Sequence, residues 1–231
     1  MRRLHRVAAG LVLGLVIVTV VVWRMEASRS GPGAGETSLE QLGHYGRVPP
    51  FSLTDRSGRQ VTRDDLRDHV SVIDFIYTEC TETCPTQSLK MAQLERELAD
   101  ARDLRIASIT VDPRHDTPEV LARYAQRYQA DDRWWFLTGD QRDIYCLARD
   151  GFHLSVVDSS AAQPPTCGSA FRFGFGPQAA WASHGSEGLI MHSARLVLVD
   201  RKAEIRAYHL ATDVDAVEKL KANLRRLLAE K

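Results

Sequence analysis

Two cysteines that stand four residues apart are the residues of this chain with the clearest potential for chemistry. Cys80 and Cys84 belong to the segment YTECTETCP (77–85), which follows an apolar run typical of a buried strand. On a helix, a spacing of four residues places both side chains on one face. Two thiols arranged in this way could close into a disulfide or together hold a soft metal ion. The pair therefore predicts a redox site or a metal site, and its spacing does not decide between them.

The position of the pair at a strand-to-helix junction favours a functional dithiol. A helix N-terminus favours negative charge, which lowers the pKa of a cysteine there and increases its thiolate fraction. The alternative is a structural disulfide or two buried thiols. A ring as short as the one between Cys80 and Cys84 has little entropic benefit as a structural cross-link. We therefore predict that Cys80 and Cys84 form a redox-active or metal-binding pair.

A histidine could separate these two uses of the dithiol. His192 stands in the segment MHS (191–193), just before an apolar strand, and α/β folds place ligands at strand ends. Two thiolates and one imidazole would suit copper, since thiolates select Cu(I) and imidazole keeps Cu(II) accessible. Zinc would require a fourth ligand or a water. Taken alone, however, the sequence favours an ordinary surface or capping role for His192.

The elements that must position these residues follow an α/β pattern. Apolar β-branched runs and helical spacings alternate along the chain, which predicts a parallel core with an antiparallel strand pair at its edge. A β-hairpin is predicted at 50–62, before the first core strand. Thr117 is a natural N-cap because Pro118 follows it in the first helical position. The predicted strands are 69–77, 104–111, 134–137, 152–157, 195–199 and 203–210, and the predicted helices are 83–98, one beginning after Thr117, 142–148 and 214–228.

The N-terminal region predicts a membrane anchor. Residues 7–23 carry no charge and follow three arginines within the first six residues. A span needs about 17–25 residues, and the arginines keep residues 1–6 in the cytoplasm. A cleaved signal peptide is the alternative, and it too would export the rest. We expect a bacterial inner-membrane protein with a flexible linker (24–46) and a periplasmic domain (47–231). The net charge of zero does not favour nucleic-acid binding.

Three motifs resemble a known family. FIYT (75–78) followed by CxxxCP, the segment TVDPRHDTP (110–118), and His192-Ser193 ahead of a strand ending in Asp200 are similar to the Sco/SenC family. That family comprises copper-binding proteins with a thioredoxin-like fold, which serve assembly of the binuclear copper centre of cytochrome c oxidase. The resemblance implies that Cys80, Cys84 and His192 are copper ligands. It also implies a thioredoxin-like fold here, with the hairpin and the transmembrane helix as N-terminal additions.

The resemblance implies a membrane-anchored copper chaperone that delivers copper to the oxidase subunit carrying the copper centre. The reduced dithiol and His192 would capture copper and pass it on by ligand exchange. Other periplasmic copper chaperones or thiol reductases would be further partners. Two alternatives stay open: a thiol–disulfide oxidoreductase that keeps the acceptor's cysteines reduced, and a copper or redox sensor. Whether the protein is an enzyme is therefore undecided.

Three further residues have open roles. Asp112 is either a carboxylate that lies near the metal site without touching the metal, or a turn residue that precedes Pro113. Cys146 and Cys167 could form a second disulfide, remain unpaired, or serve as extra thiols for redox exchange. Residues 158–188 form an unusually long connection, typical of a functional or disordered segment.

Overall fold

The structure is a computed structural model that describes residues 39–81, 83–158, 167 and 190–230. The predicted anchor (7–23) and most of the predicted linker lie outside these residues, as does the connection 159–189 apart from Cys167. In the part of the chain that the structure describes, no helix combines the length and the apolar character needed to cross a membrane.

Strands and helices alternate through the first two thirds of the domain, as the sequence predicts. The strands are β1 (Ser52–Asp55), β2 (Gln60–Thr62), β3 (Val70–Ile76), β4 (Leu104–Thr110), β5 (Trp134–Thr138), β6 (Val156–Asp158), β7 (Ile190–His192), β8 (Arg195–Val199) and β9 (Ile205–Leu210). The helices are α1 (Thr83–Glu97), α2 (Pro118–Arg127), α3 (Gln141–Cys146) and α4 (Val214–Ala229).

A seven-stranded sheet in the order β2-β1-β5-β4-β3-β8-β9 forms the centre of the domain. Strands β3, β4 and β5 run parallel, and β8 joins β3 antiparallel. All seven residues of β3 are buried, as expected for a strand covered on both faces. The predicted α/β class and the antiparallel edge pair β8–β9 are confirmed. β3 is therefore an internal strand: Ser71–Ile73 pair with neighbours on both sides, and its carboxyl end stays paired with β4 as far as Ile76.

The predicted hairpin and the predicted helix start are also confirmed. Leu53 of β1 pairs with Val61 of β2 in an antiparallel register. The Thr117 hydroxyl caps α2 by accepting a hydrogen bond from the Val120 N–H at 3.4 Å. Both features depend on residues close together in the chain, so local patterns are sufficient to predict them.

The strand predicted at 152–157 is wrong for most of its length. A π-helical turn (Leu147–Gly151) follows α3, and only Val156–Asp158 form β6, which pairs with β7. His153 has a positive φ of 53°, a backbone conformation that a β-strand does not contain. The buried Phe152 ring instead packs edge-to-face on Phe75, with ring centroids 5.6 Å apart. Apolar residues in this segment therefore reflect core packing rather than strand alternation.

The N-terminal stem, residues 39–48, lies along β9. The N–H groups of Gly43, Tyr45 and Val48 donate to the carbonyls of Arg206, Ile205 and Ala203. The sequence assigns residues 39–46 to the linker, whereas these hydrogen bonds attach them to the domain. The stem thereby covers backbone groups of the edge strand that would otherwise face solvent.

A disulfide joins Cys146, at the end of α3, to Cys167. The Cα atoms are 5.6 Å apart, within the range that a disulfide spans. Of the three possibilities for Cys146 and Cys167, the structure therefore selects a disulfide between them.

Candidate functional site

The dithiol lies where β3 leads into α1: Cys80 is in the short connecting loop, and Cys84 is in the first turn of the helix. The Cys80 N–H donates to the Tyr77 carbonyl at 3.3 Å, which forms a tight turn, and α1 begins at Thr83. Pro85 is accommodated because the first-turn N–H groups of a helix have no intrahelical acceptor. Cys84 is completely buried and Cys80 is half-buried. The loop therefore gives the two sulfurs different access to a reaction partner.

Both cysteines are thiols in this structure, and their sulfurs share one helix end. The Cys84 N–H donates to the Cys80 Sγ at 3.4 Å, and the Thr83 hydroxyl lies 4.0 Å from the same sulfur. An N–H group directed at sulfur stabilises negative charge on it. Cys80 is the more accessible cysteine, and the N-terminus of α1 stabilises negative charge on its sulfur.

Cys84 departs from the expectation of a lowered cysteine pKa at this helix start. Its hydrogen bond with Cys80 raises its pKa, and burial raises it further. A charge in a water-excluded position is costly, and this cost exceeds the favourable effect of the helix end. The buried sulfur is therefore held as a thiol until a cation displaces its proton.

A buried carboxylate lies behind the dithiol. Asp74 of β3 is fully buried and accepts hydrogen bonds from the Gln87 amide at 2.9 Å and the Ser108 hydroxyl at 2.6 Å. The Trp134 indole N–H donates to the same Ser108 oxygen at 2.9 Å. Gln87 follows Cys84 by three residues on α1, so this network fixes the helix that carries Cys84 against β3 and β4.

Asp74 belongs to none of the sequence motifs. Its one signal in the sequence is a lone acidic residue inside the largely apolar strand VSVIDFI (70–76), because a buried charge needs dedicated partners. Its charge also contributes to raising the pKa of Cys84. Asp74 is therefore part of the electrostatic surroundings of the dithiol.

A second buried carboxylate, Asp116, lies beside the loop. It accepts hydrogen bonds from the Thr78 N–H at 3.1 Å and the Thr78 hydroxyl at 2.5 Å. The Thr110 hydroxyl, at the end of β4, donates to the same carboxylate. Burial raises the pKa of Asp116, and the threonine donors oppose that shift. In the sequence, Asp116 stands out only as a member of the motif TVDPRHDTP (110–118).

Asp112 forms the turn that leads from β4 to Asp116. Its carbonyl accepts the N–H groups of His115 and Asp116, and its carboxylate lies 2.6 Å from the His115 Nδ1. This hydrogen bond raises the pKa of His115. The role of Asp112 in a turn is thus visible in the structure, and its proposed support of a bound metal stays a prediction.

His192 ends the short strand β7, and its backbone lies towards the dithiol end of the sheet. Because β8 is antiparallel to β3, each step from Ile73 towards Cys80 corresponds to a step from Val197 towards His192. Ser193 is fixed by its N–H, which donates to the Ser155 carbonyl at 3.1 Å. The side chain of His192 lies outside the described part of the structure. Its proximity to the two sulfurs stays a prediction.

Within the described ranges 39–81, 83–158, 167 and 190–230, no three histidine, cysteine, aspartate or glutamate side chains are grouped as a metal site. Two thiols alone can hold a soft ion in a linear or open arrangement, and a third ligand would complete a trigonal one. The described residues thus supply two thiols, with two buried carboxylates near them.

The sequence matches a family model described as SCO1/SenC over residues 40–229. Among curated proteins, the SCO1 protein homolog of Bacillus subtilis is 38% identical over 112 residues, which are 47% of this chain and 58% of that protein. The human mitochondrial SCO1 homolog is 32% identical over 122 residues, 50% of this chain and 40% of that protein. The matched segments thus span about half the length of these relatives.

Solved structures share the fold. A SCO1/SenC family lipoprotein from Bacillus anthracis superposes with a TM-score of 0.63 at 23% identity, over 78% of this chain and 94% of that one. The Bradyrhizobium japonicum ScoI, solved with copper bound, superposes with a TM-score of 0.58 at 23% identity, over 79% and 99% of the two chains. BsSco, a Sco-family protein in which a disulfide switch was identified, gives 0.60 at 22% identity, over 83% and 98%. The mixed α/β sheet therefore matches the thioredoxin-like Sco structures.

Proposed function

Since this chain belongs to the SCO1/SenC family, we propose that it is a copper chaperone that binds copper through Cys80, Cys84 and His192. One observation carries this proposal. The two sulfurs lie at the junction between β3 and α1, Cys80 in the loop and Cys84 in the first turn of the helix, with the Cys84 N–H donating to the Cys80 Sγ at 3.4 Å. The chemistry of the donors fits copper, because thiolates bind Cu(I) and an added imidazole keeps Cu(II) accessible. Relatives with this fold were solved with copper bound, among them yeast Sco1.

The two cysteines have different tasks in this proposal. Cys80 is half-buried and supported by the helix N-terminus, so it makes the first contact with incoming copper and the last with departing copper. Cys84 is fully buried, so it becomes a ligand only after the ion has entered the loop. Stepwise exchange of thiolate ligands then passes copper to an acceptor. Oxidation of the pair to a disulfide removes both thiolates and prevents copper binding.

The acceptor we propose is the cytochrome c oxidase subunit that carries the copper centre. The support is family membership, together with the relative BsSco, which belongs to the Sco family of cytochrome c oxidase assembly proteins. We further propose that residues 7–23 anchor the chain in a bacterial inner membrane, with the domain in the periplasm. The support for this placement is the uncharged run after Arg2, Arg3 and Arg6.

Copper analysis of the reduced full-length protein in detergent tests the proposed ligands. The wild-type chain should retain copper after desalting, and its Cu(II) form should show a thiolate-to-copper charge-transfer band. Cys80→Ser and Cys84→Ser should lose that band, and His192→Ala should lose bound copper. His153→Ala is the matched control, since this residue lies outside the loop, and it should retain copper. Retention of copper and of cellular oxidase activity in His192→Ala would refute the proposed ligand set.

A thiol–disulfide oxidoreductase is the second candidate function. The support for it is the N–H directed at the half-buried Cys80 sulfur, which favours the thiolate that attacks disulfides. This activity would need both cysteines and would not need His192. A His192→Ala protein that reduces a test disulfide at the wild-type rate and still supports oxidase assembly would favour the reductase. A deletion strain with normal oxidase activity and altered gene expression would instead favour a sensor.

A further inference from the structure

The Asp116 carboxylate connects the dithiol loop to the end of β4. Thr78 donates to it through both its backbone N–H and its hydroxyl, and Thr110 donates through its hydroxyl. Asp116 is 1% exposed and Thr110 is completely buried, so water does not compete for these hydrogen bonds. The carboxylate thus joins two segments that are 32 positions apart at Thr78 and Thr110.

The two ends of this connection differ in how firmly other interactions hold them. Thr110 is the last residue of β4, which pairs with β3 over all of its residues, and the residues before Thr110, from Ile106 to Ile109, also pair with β5. Thr78 follows the end of β3, in the loop that leads to Cys80. Only one residue separates Thr78 from Cys80, so a displacement of Thr78 moves the Cys80 sulfur directly. Asp116 is also fixed through its own N–H, which donates to the Asp112 carbonyl at 2.9 Å, so it acts on the loop from a rigid support even without the Thr110 hydroxyl.

We propose that Asp116 is a positioning residue for copper capture: it holds Thr78, and through Thr78 the Cys80 sulfur, in the geometry that binds the ion. This inference rests on the proposed copper function. A ligand loop that is fixed before binding loses less conformational freedom when the ion arrives, so affinity depends on groups that do not touch the metal. Partners of metal ligands typically change affinity by about 10–100-fold when they are removed.

Two isosteric substitutions separate positioning from stability. Thr78→Val removes one hydroxyl donor to Asp116 on the loop side, and Thr110→Val removes one on the β4 side. The Thr110 hydroxyl also accepts the Asp112 N–H at 3.0 Å, so Thr110→Val disrupts one hydrogen bond more. If Asp116 served only to stabilise the fold, Thr110→Val would be at least as harmful as Thr78→Val in every assay. Thr78→Ser restores the hydroxyl and serves as the rescue variant.

The experiment measures Cu(I) affinity of the full-length protein by competition with a chromophoric chelator, and the melting temperature of the same samples. It also measures the rate at which a thiol reagent modifies Cys80 in the reduced, copper-free chain. We expect Thr78→Val to lower copper affinity about tenfold and to accelerate Cys80 modification. Thr110→Val should remain within about twofold of the wild type in affinity, and Thr78→Ser should restore the wild-type values.

Two results would overturn the proposal. The first is a Thr78→Val affinity within about twofold of the wild type, or one reduced only in proportion to the unfolded fraction. The second is an equal loss in Thr110→Val. Failure of the copper function itself is distinguishable, because the wild-type chain would then bind no copper. In that case Cys80 modification, which needs no metal, still decides whether Asp116 positions the loop.

Discussion

The buried His209 should make the stability of this domain depend on pH between about 8 and 4. His209 lies in β9 and is completely buried, and its Nε2 is 3.4 Å from the Asn223 side-chain nitrogen on α4. Burial lowers its pKa from 6.5 to about 4, with Lys219 acting in the same direction and Glu40 opposing it. The folded state therefore favours the neutral imidazole.

The size and sign of the effect follow from the two pKa values. At about pH 8, well above the ordinary histidine pKa of 6.5, the imidazole is neutral in both the folded and the unfolded chain, so its full contribution to stability is present. As the pH falls, the unfolded chain binds a proton first, and stability is lost until the pH passes the folded pKa of about 4. The loss is about 2 kcal/mol at pH 5 and approaches about 3 kcal/mol below pH 4.

Urea unfolding of the compact unit, Leu39–Lys231, at pH 8, 7, 6 and 5 measures this loss. The perturbation is His209→Gln, which retains a polar group at the position but does not ionise. Glu95 titrates in the opposite sense, because burial raises its pKa to about 7, but it is present in both proteins and cancels in their difference. The wild type should lose about 2 kcal/mol relative to His209→Gln between pH 8 and pH 5.

The control for this measurement is His153→Gln, a half-exposed position away from β9 and α4. This variant removes an imidazole that lies elsewhere in the domain, so it isolates the effect of burying an imidazole at position 209. If the His209→Gln difference changes by less than about 0.5 kcal/mol between pH 8 and pH 5, His209 is not a buried neutral imidazole. The burial of His209 between β9 and α4 would then be refuted.

Two further predictions concern parts of the fold that support the site. Replacing both Cys146 and Cys167 by serine should lower the free energy of unfolding by about 3 kcal/mol, since the disulfide closes a ring over a sequence separation of 21. Urea unfolding measures this change. A loss below about 1 kcal/mol would contradict the prediction. Asp74→Ala should destabilise by about 2–4 kcal/mol, because the buried donors of Gln87 and Ser108 lose their acceptor. Asp74→Asn should cost less in the same assay, as one acceptor remains, and equal losses in the two variants would argue against the hydrogen bonds as the cause.

Local patterns were sufficient to predict the elements that carry the dithiol. An apolar β-branched run predicts β3, and a proline in the first turn indicates the start of α1. Thr117 followed by Pro118 predicts the start of α2, where the hydroxyl caps the helix. Each of these features depends on interactions between residues a few positions apart. The strand predicted at 152–157 is wrong for most of its length because an apolar residue does not by itself indicate a strand. Phe152 packs on Phe75, which lies 77 positions earlier in the chain, and the local pattern does not show this contact.

The candidate site could be predicted from sequence only in part. The spacing of Cys80 and Cys84 indicates a dithiol, and the resemblance adds His192 as the third ligand. The hydrogen-bond partners of Asp74 and Asp116 are not visible in this way, because they come from distant segments. Gln87 and Ser108 reach Asp74 from α1 and β4, and Thr78 reaches Asp116 across 38 positions. No local sequence pattern predicts contacts between residues so far apart in the chain.

The sequence by itself determined that this chain carries two thiols at a strand-to-helix junction, in motifs that identify its family. The tertiary structure decided which sulfur is accessible, why the pKa of Cys84 is raised rather than lowered, and that Cys146 pairs with Cys167. The physical reason is that residue type and spacing follow from the order of the chain. Burial, electrostatic surroundings and cross-links depend on distances through space, which only the folded sheet establishes.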